Sequence, residues 1–347
     1  MTSQAEAKIQ KVWRIHKRDE NEPSASEDEL GSMKISVVLC TYNRCQSLQK
    51  ALTGAAALVL PESVEWEILV VDNNSNDQTR KTVEDFICRD PGRFRYLFEP
   101  QPGKSHALNA GIRESRGDVL AFMDDDVVVH PDWLHKLTAA LHNGEWAGAG
   151  GRILPEWNCP LPRWLAPESS HAAGPLVAFH PMEQAGEIFE APIGTNMAFR
   201  REMFEKYGNF RVDLGPRPGS ELRNEDTEFG ERLLAAGERL RYEPSALVYH
   251  PVTQNRLRKD YFLAWWRNKG EANIRQFGVR PGTRYRVAGI PLYLIRRFVK
   301  WTLKWMFSVN PAERFSNKLS AWENLGEIAE CYRESVVPKK ATESCNA

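Results

Sequence analysis

Three consecutive aspartates, Asp124, Asp125 and Asp126, follow the apolar run 119–123. Adjacent carboxylates raise one another's pKa and lose solvent screening in a folded cleft, so such a triplet is costly unless a cation neutralises it. Mg²⁺ or Mn²⁺ meets this need, because these ions usually share their coordination shell between one or two carboxylates and substrate phosphates. The alternative is an acidic turn that merely closes the strand. The triplet therefore indicates a metal site for a phosphorylated ligand.

Other polar residues have both a chemical and a structural interpretation. Asp226 could be a general base, or one of the acids that complement the dipole at the start of helix 224–236 for about 0.3–1 kcal/mol. Lys104 and His106 stand at a helix start, where a basic pair binds phosphate or stays solvated. A lone histidine such as His250 is more often a packed or exposed bystander than a ligand. The residue types alone leave both interpretations open.

The elements that must position these residues repeat the order strand, polar loop, helix. Four runs have the texture of buried strands, and apolar spacing predicts a helix after each of the first three. This order is typical of a parallel sheet with helices on both faces, whose ligands lie outside the carboxyl ends of the strands. The acidic clusters fall at those ends. The predicted strands are 35–40, 68–71, 94–98, 119–123, 193–200 and 246–250, and the later predicted helices are 224–236, 260–276 and 285–307.

Six segments, in order along the chain, resemble the motifs of family 2 glycosyltransferases, which are inverting enzymes with the GT-A fold. Residues 123–126 are similar to the D-x-D motif of that family. The resemblance covers roughly residues 34–275. It implies an α/β fold, namely a GT-A Rossmann-like, mostly parallel sheet with helices on both faces, plus a C-terminal helical extension. The other matching segments are 41–44, 71–77, 103–111, 194–201 and 224–228.

The resemblance also implies a role for each matching position. Asp226 would be the catalytic base, and Asp126 with His250 would hold Mn²⁺ or Mg²⁺. Asp72 would contact the nucleotide base, and Asp124 the ribose. The residues implied in nucleotide-sugar binding are Thr41, Asn43, Asp72, Lys104, Asn109, Asp124 and Asp125. The residues implied on the acceptor side are Gly194, Thr195, Asn196 and Glu225.

The chemistry of sugar transfer makes the same demands independently. A leaving diphosphate needs a cation to take up charge, and the acceptor hydroxyl needs a carboxylate within hydrogen-bond reach. We therefore expect a metal-dependent enzyme that moves one sugar from a nucleoside-diphosphate sugar, with a UDP-sugar favoured, to a hydroxyl acceptor with inversion. Cell-surface polysaccharide or glycolipid synthesis is the expected setting.

Two departures from the family pattern qualify these expectations. Asn73 stands where relatives often carry a second acid, which weakens the nucleotide assignment. No Q-x-x-R-W segment, the motif expected of a processive synthase, occurs, and the most similar segment is 265–267. Single-sugar addition is therefore favoured over processive polysaccharide synthesis.

Other functions fit the sequence less well. A dinucleotide-dependent oxidoreductase needs a glycine-rich turn after the first strand, and 41–44 contains no glycine. A sugar-phosphate nucleotidyltransferase would share the metal and the nucleotide, but should carry a glycine-rich loop near that strand. A catalytically silent nucleotide-sugar-binding or scaffold protein remains an alternative.

Charge is unevenly distributed along the 347 residues, although the formal net charge is zero. Residues 254–310 hold 13 basic and 2 acidic side chains, whereas the preceding part is acidic overall. We therefore divide the chain into a flexible polar leader 1–32, a catalytic domain 33–253 and a basic, aromatic-rich helical extension 254–347. No motif for binding nucleic acid accompanies the basic charge, so no nucleic-acid partner is expected.

The extension contains a predicted basic amphipathic helix over 285–307, with Trp301 and Trp305 near the boundary of its faces. Such a helix is typical of one that lies in the headgroup plane of an anionic membrane, where lipid-linked acceptors are found. The alternative is a helix packed on the catalytic body with its basic face in water. The predicted apolar face is Ile295, Phe298, Val299, Thr302, Leu303 and Met306, and the cations placed largely opposite are Arg296, Arg297, Lys300 and Lys304.

Cysteine spacing and hydropathy bear on the cellular compartment. The six cysteines form no CxxC pair, which favours reduced thiols. The N-terminus has no apolar core typical of a signal peptide, and no stretch is long and apolar enough to span a bilayer. We therefore expect a cytoplasmic protein with peripheral contact to the inner face of the cell membrane.

Overall fold

The computed structural model describes residues 33–336, so the predicted leader 1–32 lies outside the described residues. Within that range, a nine-stranded sheet of order β3-β2-β1-β4-β8-β6-β11-β5, with β7 paired to β11, forms the centre. The strands are β1 (Lys34–Thr41), β2 (Glu65–Asp72), β3 (Phe94–Phe98), β4 (Val119–Asp124), β5 (Val128–Val129), β6 (Gly148–Trp157), β7 (Gly186–Ile188), β8 (Met197–Arg200), β9 (Pro216–Arg217), β10 (Ser220–Glu221), β11 (Leu240–Val252), β12 (Arg286–Val287) and β13 (Ile290–Pro291).

Helices cover both faces of this sheet and continue past it. Two short 3₁₀ turns, Ala139–Leu141 and Gln254–Leu257, accompany them. The helices are α1 (Cys45–Ala56), α2 (Thr79–Arg89), α3 (Lys104–Glu114), α4 (Trp133–Thr138), α5 (Ser170–Leu176), α6 (Arg201–Tyr207), α7 (Glu225–Ala235), α8 (Lys259–Phe277), α9 (Leu292–Phe307) and α10 (Pro311–Val336).

The register of the parallel strands brings their carboxyl ends level with one another. Thr41 of β1 pairs with Asp72 of β2, and Cys40 of β1 pairs with Asp124 of β4. Because strands β3, β2, β1 and β4 are all parallel, the polar loops that follow them meet at one edge. The predicted meeting of acidic clusters at this edge is confirmed.

The two faces of the sheet bury separate apolar layers. Val37 and Leu39 of β1 pack with Leu48 and Leu52 of α1 on one face. Val38, between them in sequence, packs in a second cluster with residues of α3 on the other face. Alternate residues of a strand point to opposite faces, so a continuous apolar run is what a sheet covered on both sides requires. The predicted α/β architecture is confirmed.

Asp77 holds the first turns of two helices next to the sheet edge. Its Oδ2 accepts a hydrogen bond from the Cys45 backbone N–H at 3.0 Å, and its Oδ1 accepts from the Thr79 N–H at 2.9 Å. Although burial opposes ionisation, these hydrogen bonds and that of the Thr79 hydroxyl lower the pKa of Asp77 to about 2. The carboxylate thus fixes α1 and α2 to the loop after β2.

Strand β6 was not predicted, because it opens with Gly148, Ala149, Gly150 and Gly151, and glycine is depleted in strands. The structure shows why glycine is required there. A Cβ on any of the three glycines would collide with a neighbouring side chain or backbone atom. Close packing against β8, the loop before it and β11 therefore outweighs the unfavourable β-propensity.

Helix α9 begins at Leu292, so the predicted helix 285–307 is wrong over its first residues. A turn at Ala288 and Gly289, with φ of 50° and 79°, forms a small hairpin of β12 and β13 instead. The predicted separation of faces is also wrong for Arg297. Its guanidinium bonds Glu327 of α10 at 2.6 Å and Asn324 at 2.8 Å, and therefore points toward the protein.

Helices α8 and α10 cross with their backbones in contact. A Cβ on Gly270 would collide with the Glu323 carbonyl, and one on Gly326 would collide with the Arg267 carbonyl. Glycine at both positions allows this close approach. Residues 254–336 pack on the preceding part through Phe262, among other apolar residues. The boundary at 253 and the domain division stay predictions.

Two further findings concern thiols and hydropathy. Cys40, Cys45, Cys88, Cys159 and Cys331 are all free within residues 33–336. In the same described range, no helix combines the length and apolar character needed to cross a bilayer.

Candidate active site

Asp124, the last residue of β4, lies between two hydrogen-bond donors. Its Oδ1 accepts from Lys104 Nζ at 2.8 Å, and its Oδ2 accepts from the Thr195 hydroxyl at 2.6 Å. Burial opposes ionisation, but the Lys104 charge and these two hydrogen bonds hold the pKa of Asp124 well below its usual range. Asp124 is therefore a fixed carboxylate at the edge of the sheet.

Asp226, the second residue of α7, is held by two backbone N–H groups. Its Oδ2 accepts from Gly194 N–H at 2.6 Å, and its Oδ1 accepts from Thr227 N–H at 2.8 Å. A Cβ on Gly194 would stand 2.8 Å from that Oδ2, so only glycine permits this approach without displacement. The orientation of the carboxylate is thus set by backbone atoms.

Short bridges join Asp124 to the start of α7. Lys104 Nζ, bonded to Asp124, also lies 3.4 Å from Glu225 Oε1. Thr195, bonded to Asp124, follows Gly194, which holds Asp226. Lys104, Asp124, Gly194 and Asp226 line the same small cavity. The structure therefore brings the predicted donor-side and acceptor-side carboxylates together.

Glu225 lies beneath these groups as a buried acid. Burial and the neighbouring Asp226 carboxylate raise the pKa of Glu225 to about 7, against the opposing attraction of Lys104. The effect is expected for two acids held side by side in a dry environment. Glu225 thus adds negative charge around Lys104 only when it is ionised.

Asn224 fixes the start of α7 from the other side. It adopts a left-handed conformation with φ of 77°, which asparagine tolerates better than most residues. Its side-chain amide donates to Gln276 Oε1 at 2.7 Å and to Asn273 Oδ1 at 3.1 Å, while its Oδ1 accepts from Lys269 Nζ at 2.7 Å. Helix α8 therefore positions the helix that carries Asp226.

The remaining two acids of the triplet contact arginines. Asp125 is buried, accepts from the Thr41 hydroxyl at 2.7 Å and pairs with Arg44 at 3.1 Å. Burial raises the pKa of Asp125 to about 6, with Arg44 opposing the shift. Asp126 pairs with Arg44 at 3.2 Å and with Arg256 Nη2 at 2.9 Å.

His250 lies in β11 beside Asp126, with 3.6 Å between its Nε2 and Asp126 Oδ1. It is buried, and its Nδ1 has no hydrogen-bond partner among residues 33–336. Burial and the Arg256 charge lower the pKa of His250 to about 4, so the imidazole is neutral at pH 7. A neutral imidazole keeps a lone pair that a metal ion can accept.

The fit of a divalent cation follows from this donor set. Within residues 33–336, no three His, Cys, Asp or Glu side chains form a group that could hold a metal ion. A carboxylate and a neutral imidazole, Asp126 and His250, are nevertheless adjacent. Two protein ligands suit Mg²⁺ or Mn²⁺, which fill the rest of their shell with substrate phosphates and water. The residues present therefore fit a cation that is bound together with a diphosphate.

The residues predicted to surround the nucleotide base lie at the ends of β1 and β2. Asp72 is buried and accepts from Ser75 N–H at 2.9 Å and from the Tyr96 hydroxyl at 2.8 Å. Asn43 Oδ1 accepts from Asn76 N–H at 2.8 Å. These bonds join the two loops, and their contact with a nucleotide stays a prediction.

Asn73, where the family pattern often has an acid, performs a structural role. Its Oδ1 accepts from Gly103 N–H at 2.7 Å, and its amide donates to the Gln101 carbonyl at 2.7 Å. An acid could not donate the second bond. Asn73 therefore anchors the loop that leads to Lys104.

Two predicted site residues use their side chains entirely within the fold. Asn109 bonds the Phe210 backbone with both ends of its amide, at 2.9 and 3.0 Å. Asn196 is buried, accepts from Trp133 Nε1 at 2.8 Å and donates to the Ala246 carbonyl at 2.8 Å. The structure does not bring these two amides into the cluster around Asp124.

Arg44 and Arg256 are the site residues that sequence reasoning missed. Arg44 stands inside a recognised motif, so its signal was present but not used. Arg256 follows β11, far along the chain from Asp126, and no local pattern connects the two. The pairing depends on β11 lying beside the sheet and becomes visible only in the fold.

Comparison with known proteins agrees with this geometry. The family described as Glycosyl transferase family 2 matches residues 36–208. The succinoglycan biosynthesis protein ExoM of Rhizobium meliloti (strain 1021) is 31% identical over 235 residues, which cover 67% of this chain and 71% of ExoM. The glycosyltransferase AglE of Haloferax volcanii is 26% identical over 220 residues, with coverage of 63% and 67%.

A solved structure shares the fold. The mannosyltransferase PcManGT from Pyrobaculum calidifontis, in complex with GDP-Man and Mn²⁺, aligns with a TM-score of 0.54 at 17% identity. The alignment covers 94% of this chain and 80% of that one. The predicted GT-A fold is confirmed. On the family match and the extent of the similarity to ExoM, the chain belongs to family 2 of the glycosyltransferases.

Proposed function

We propose that this protein transfers one sugar, with inversion, from a nucleoside-diphosphate sugar to a hydroxyl of a saccharide or lipid-linked acceptor. One observation carries the proposal: Asp124 and Asp226 line one cavity and are joined through Lys104, Thr195 and Gly194. An inverting displacement needs the sugar donor held on one side and a proton-accepting carboxylate on the other. This arrangement supports both requirements.

In the proposed reaction, Asp226 accepts the proton of the acceptor hydroxyl as that oxygen attacks the anomeric carbon. The N–H groups of Gly194 and Thr227 stabilise the carboxylate and orient it. Each carboxylate oxygen has two lone pairs, so the second remains available for the acceptor. Asp226 therefore supports general-base catalysis in addition to its place at a helix start.

Asp126 and His250 would hold Mn²⁺ or Mg²⁺, which when bound would take up negative charge on the leaving diphosphate. Arg44 and Arg256, already paired with Asp126, add positive charge beside the same region. Lys104 does so on the side of Asp124. These cations belong to the chain itself and favour a doubly charged leaving group.

The sugar donor would lie along the carboxyl ends of β1, β2 and β4, with the nucleotide base near Asp72 and Thr41, and the ribose near Asp124. Asp125 supports this wall through Thr41 and Arg44. UDP stays the favoured nucleotide. GDP is a second candidate, because the structure of the similar mannosyltransferase is a complex with GDP-Man. The names of ExoM and AglE support a setting in polysaccharide or glycolipid synthesis.

A thermal-shift panel of nucleotide sugars tests the proposal directly. A ligand that binds only the native state, present at a concentration of 100 times its Kd, stabilises that state by about 2.7 kcal/mol. We expect one nucleotide family to raise the melting temperature, more with Mn²⁺ or Mg²⁺ than with EDTA. If every UDP- and GDP-sugar leaves the melting temperature unchanged with either cation, the alternative of a scaffold protein is the better account.

We further propose that the exposed face of α9 contacts an anionic membrane surface. Val299, Leu303 and Met306 are 49%, 48% and 58% exposed. They alternate with Lys300 and Lys304, also exposed. The chain carries no acidic residue from 272 to 312. Exposed apolar side chains among cations, without acids, complement the boundary between anionic headgroups and acyl chains.

Vesicle flotation tests this surface. Each basic residue near an anionic bilayer contributes about 1 kcal/mol, so Lys300→Gln with Lys304→Gln should lower partitioning into phosphatidylglycerol vesicles by roughly thirty-fold. Leu303→Glu should lower it further. Val59→Glu, at an exposed apolar residue in the loop between α1 and β2, is the matched control and should float like the unaltered protein. Absence of vesicle binding at low salt would contradict the proposal.

A further inference from the structure

Arg223, two residues before α7, is a cation without a carboxylate partner. Its guanidinium lies over the Trp265 ring, 5.0 Å from the ring centroid. Its Nε is buried and has no hydrogen-bond partner among residues 33–336, and within that range no ion pair joins it to an acid. Burial lowers the pKa of Arg223, yet arginine stays protonated in proteins. The positive charge is therefore retained, and Glu221 and Glu225 offset it only from beyond ion-pair distance.

Lys269 of α8 places a second cation nearby. Its Nζ donates to Asn224 Oδ1 at 2.7 Å and forms no ion pair with an acid in the described part of the chain. Burial lowers the pKa of Lys269, with the charge of Arg223 adding to the shift, while the carboxylates of Asp226, Glu231 and Glu323 oppose it from beyond ion-pair distance. Two cations thus lie beside Asn224, directly before Glu225 and Asp226.

The other cations of the site differ from this pair. Arg44 and Arg256 are paired with Asp126, and Lys104 is paired with Asp124. Removing a cation from water without an opposite charge is costly, so such groups tend to be kept where a ligand supplies that charge. Arg223 and Lys269 therefore differ from these cations in that no carboxylate lies within ion-pair distance of either in the described residues, which leaves room for an anion from a ligand.

The Trp265 ring, on which the Arg223 guanidinium lies, is held in place by close packing. The Trp265 ring packs so closely on Gly174 of α5 that a Cβ there would collide with it. Trp265 also packs edge-on against Trp266, with 5.0 Å between ring centroids. A guanidinium stacked on a fixed ring keeps its N–H fork available for a planar or tetrahedral anion.

We propose that Arg223, with Lys269 beside it, binds an anionic group, a phosphate or a carboxylate, carried by the acceptor. This inference rests on the proposed function, because it identifies the Asp226 side of the cleft as the acceptor side. The acceptor is then a phosphate-bearing or acidic saccharide whose charge lies close to the hydroxyl that attacks. The charge positions this hydroxyl for Asp226.

Isothermal titration of the full chain tests the inference with inorganic phosphate and, separately, with glucuronate as probes. Mn²⁺ and a saturating nucleoside diphosphate, UDP or GDP, fill the sugar-donor side first. We expect the unaltered protein to bind at least one probe, Arg223→Gln to bind it at least about tenfold more weakly, and Arg223→Lys to fall between, because lysine keeps the charge but loses the fork. The preferred probe distinguishes a phosphate acceptor from an acidic sugar.

Arg258→Gln is the matched control, since Arg258 is an exposed arginine paired with Asp260, and it should bind both probes like the unaltered protein. Failure of the unaltered protein to bind either probe overturns the inference, as does equal probe binding by Arg223→Gln. An equal loss of nucleotide affinity in Arg223→Gln also overturns it, because Arg223 would then serve the sugar donor. If the unaltered protein binds no nucleotide, the proposed function fails, and the anion site is judged from the probe titrations without nucleotide.

Discussion

Asp226→Asn should abolish sugar transfer while leaving the affinity for the nucleotide sugar unchanged. General-base catalysis contributes about 10²- to 10⁴-fold, and the amide cannot accept the acceptor's proton. The asparagine oxygen can still accept the Gly194 N–H, but its NH2 group cannot accept the Thr227 N–H, so we expect the local fold to persist with a loss of about 0.5–1.5 kcal/mol. Steady-state transfer rates beside calorimetric nucleotide affinities measure the two effects separately.

Glu228→Gln is the control that separates catalysis from helix stability. Glu228 is another of the three acids in the first turn of α7 and pairs with Arg232 at 2.8 Å. If Asp226 served only the helix dipole, both variants would lose similar stability, about 0.3–1 kcal/mol, and similar activity. We expect Glu228→Gln to retain transfer. Full activity in Asp226→Asn would remove the base assignment.

Asp126→Asn should lower the affinity for the nucleotide sugar in the presence of Mn²⁺ by at least about tenfold, and transfer by about 10²-fold or more. The variant removes the negative charge that pairs with Arg44 and Arg256 and lies beside the neutral His250. In EDTA, the two proteins should bind nucleotide alike. Calorimetry with and without Mn²⁺ measures the difference.

Asp132→Asn provides the comparison for this experiment. Asp132 is exposed, follows the triplet closely and contacts only His130, at 3.8 Å, among the ion pairs of residues 33–336. It should leave the Mn²⁺-dependent affinity unchanged. If Asp126→Asn behaves like Asp132→Asn, the metal is held elsewhere and the acidic triplet is structural.

Much of the sheet could be predicted because its physical cause is local. Strands β1 to β4 are apolar runs that end in polar turns, and the helix that follows β1 shows one apolar face. Strand β6 could not be predicted in this way. Its glycines are required by neighbours from β8, the loop before it and β11, which are distant in sequence. The β-propensity of a segment does not depend on residues that are distant in sequence, so it cannot reveal such neighbours.

The candidate site was predictable to the same extent. Motif residues such as Asp124 and Asp226 do converge, because strand ends and helix starts meet at one edge. Asn109 and Asn196 belong to the same motifs but bond the protein itself, and residue type cannot distinguish these uses. For Arg297, the amphipathic pattern gave a helix, but only the position of α10 decides which face is covered.

The close approach of α8 and α10 at Gly270 and Gly326 connects the C-terminal helix to the turn before Asp226. Helix α8 supplies Lys269 to the turn before Asp226, and α10 lies against α8 with no room for even a methyl group. A substitution of either glycine, or proteolytic removal of α10, should therefore lower activity although every residue of the family motifs is unchanged. A mutational survey confined to the family motifs would not detect this loss of activity.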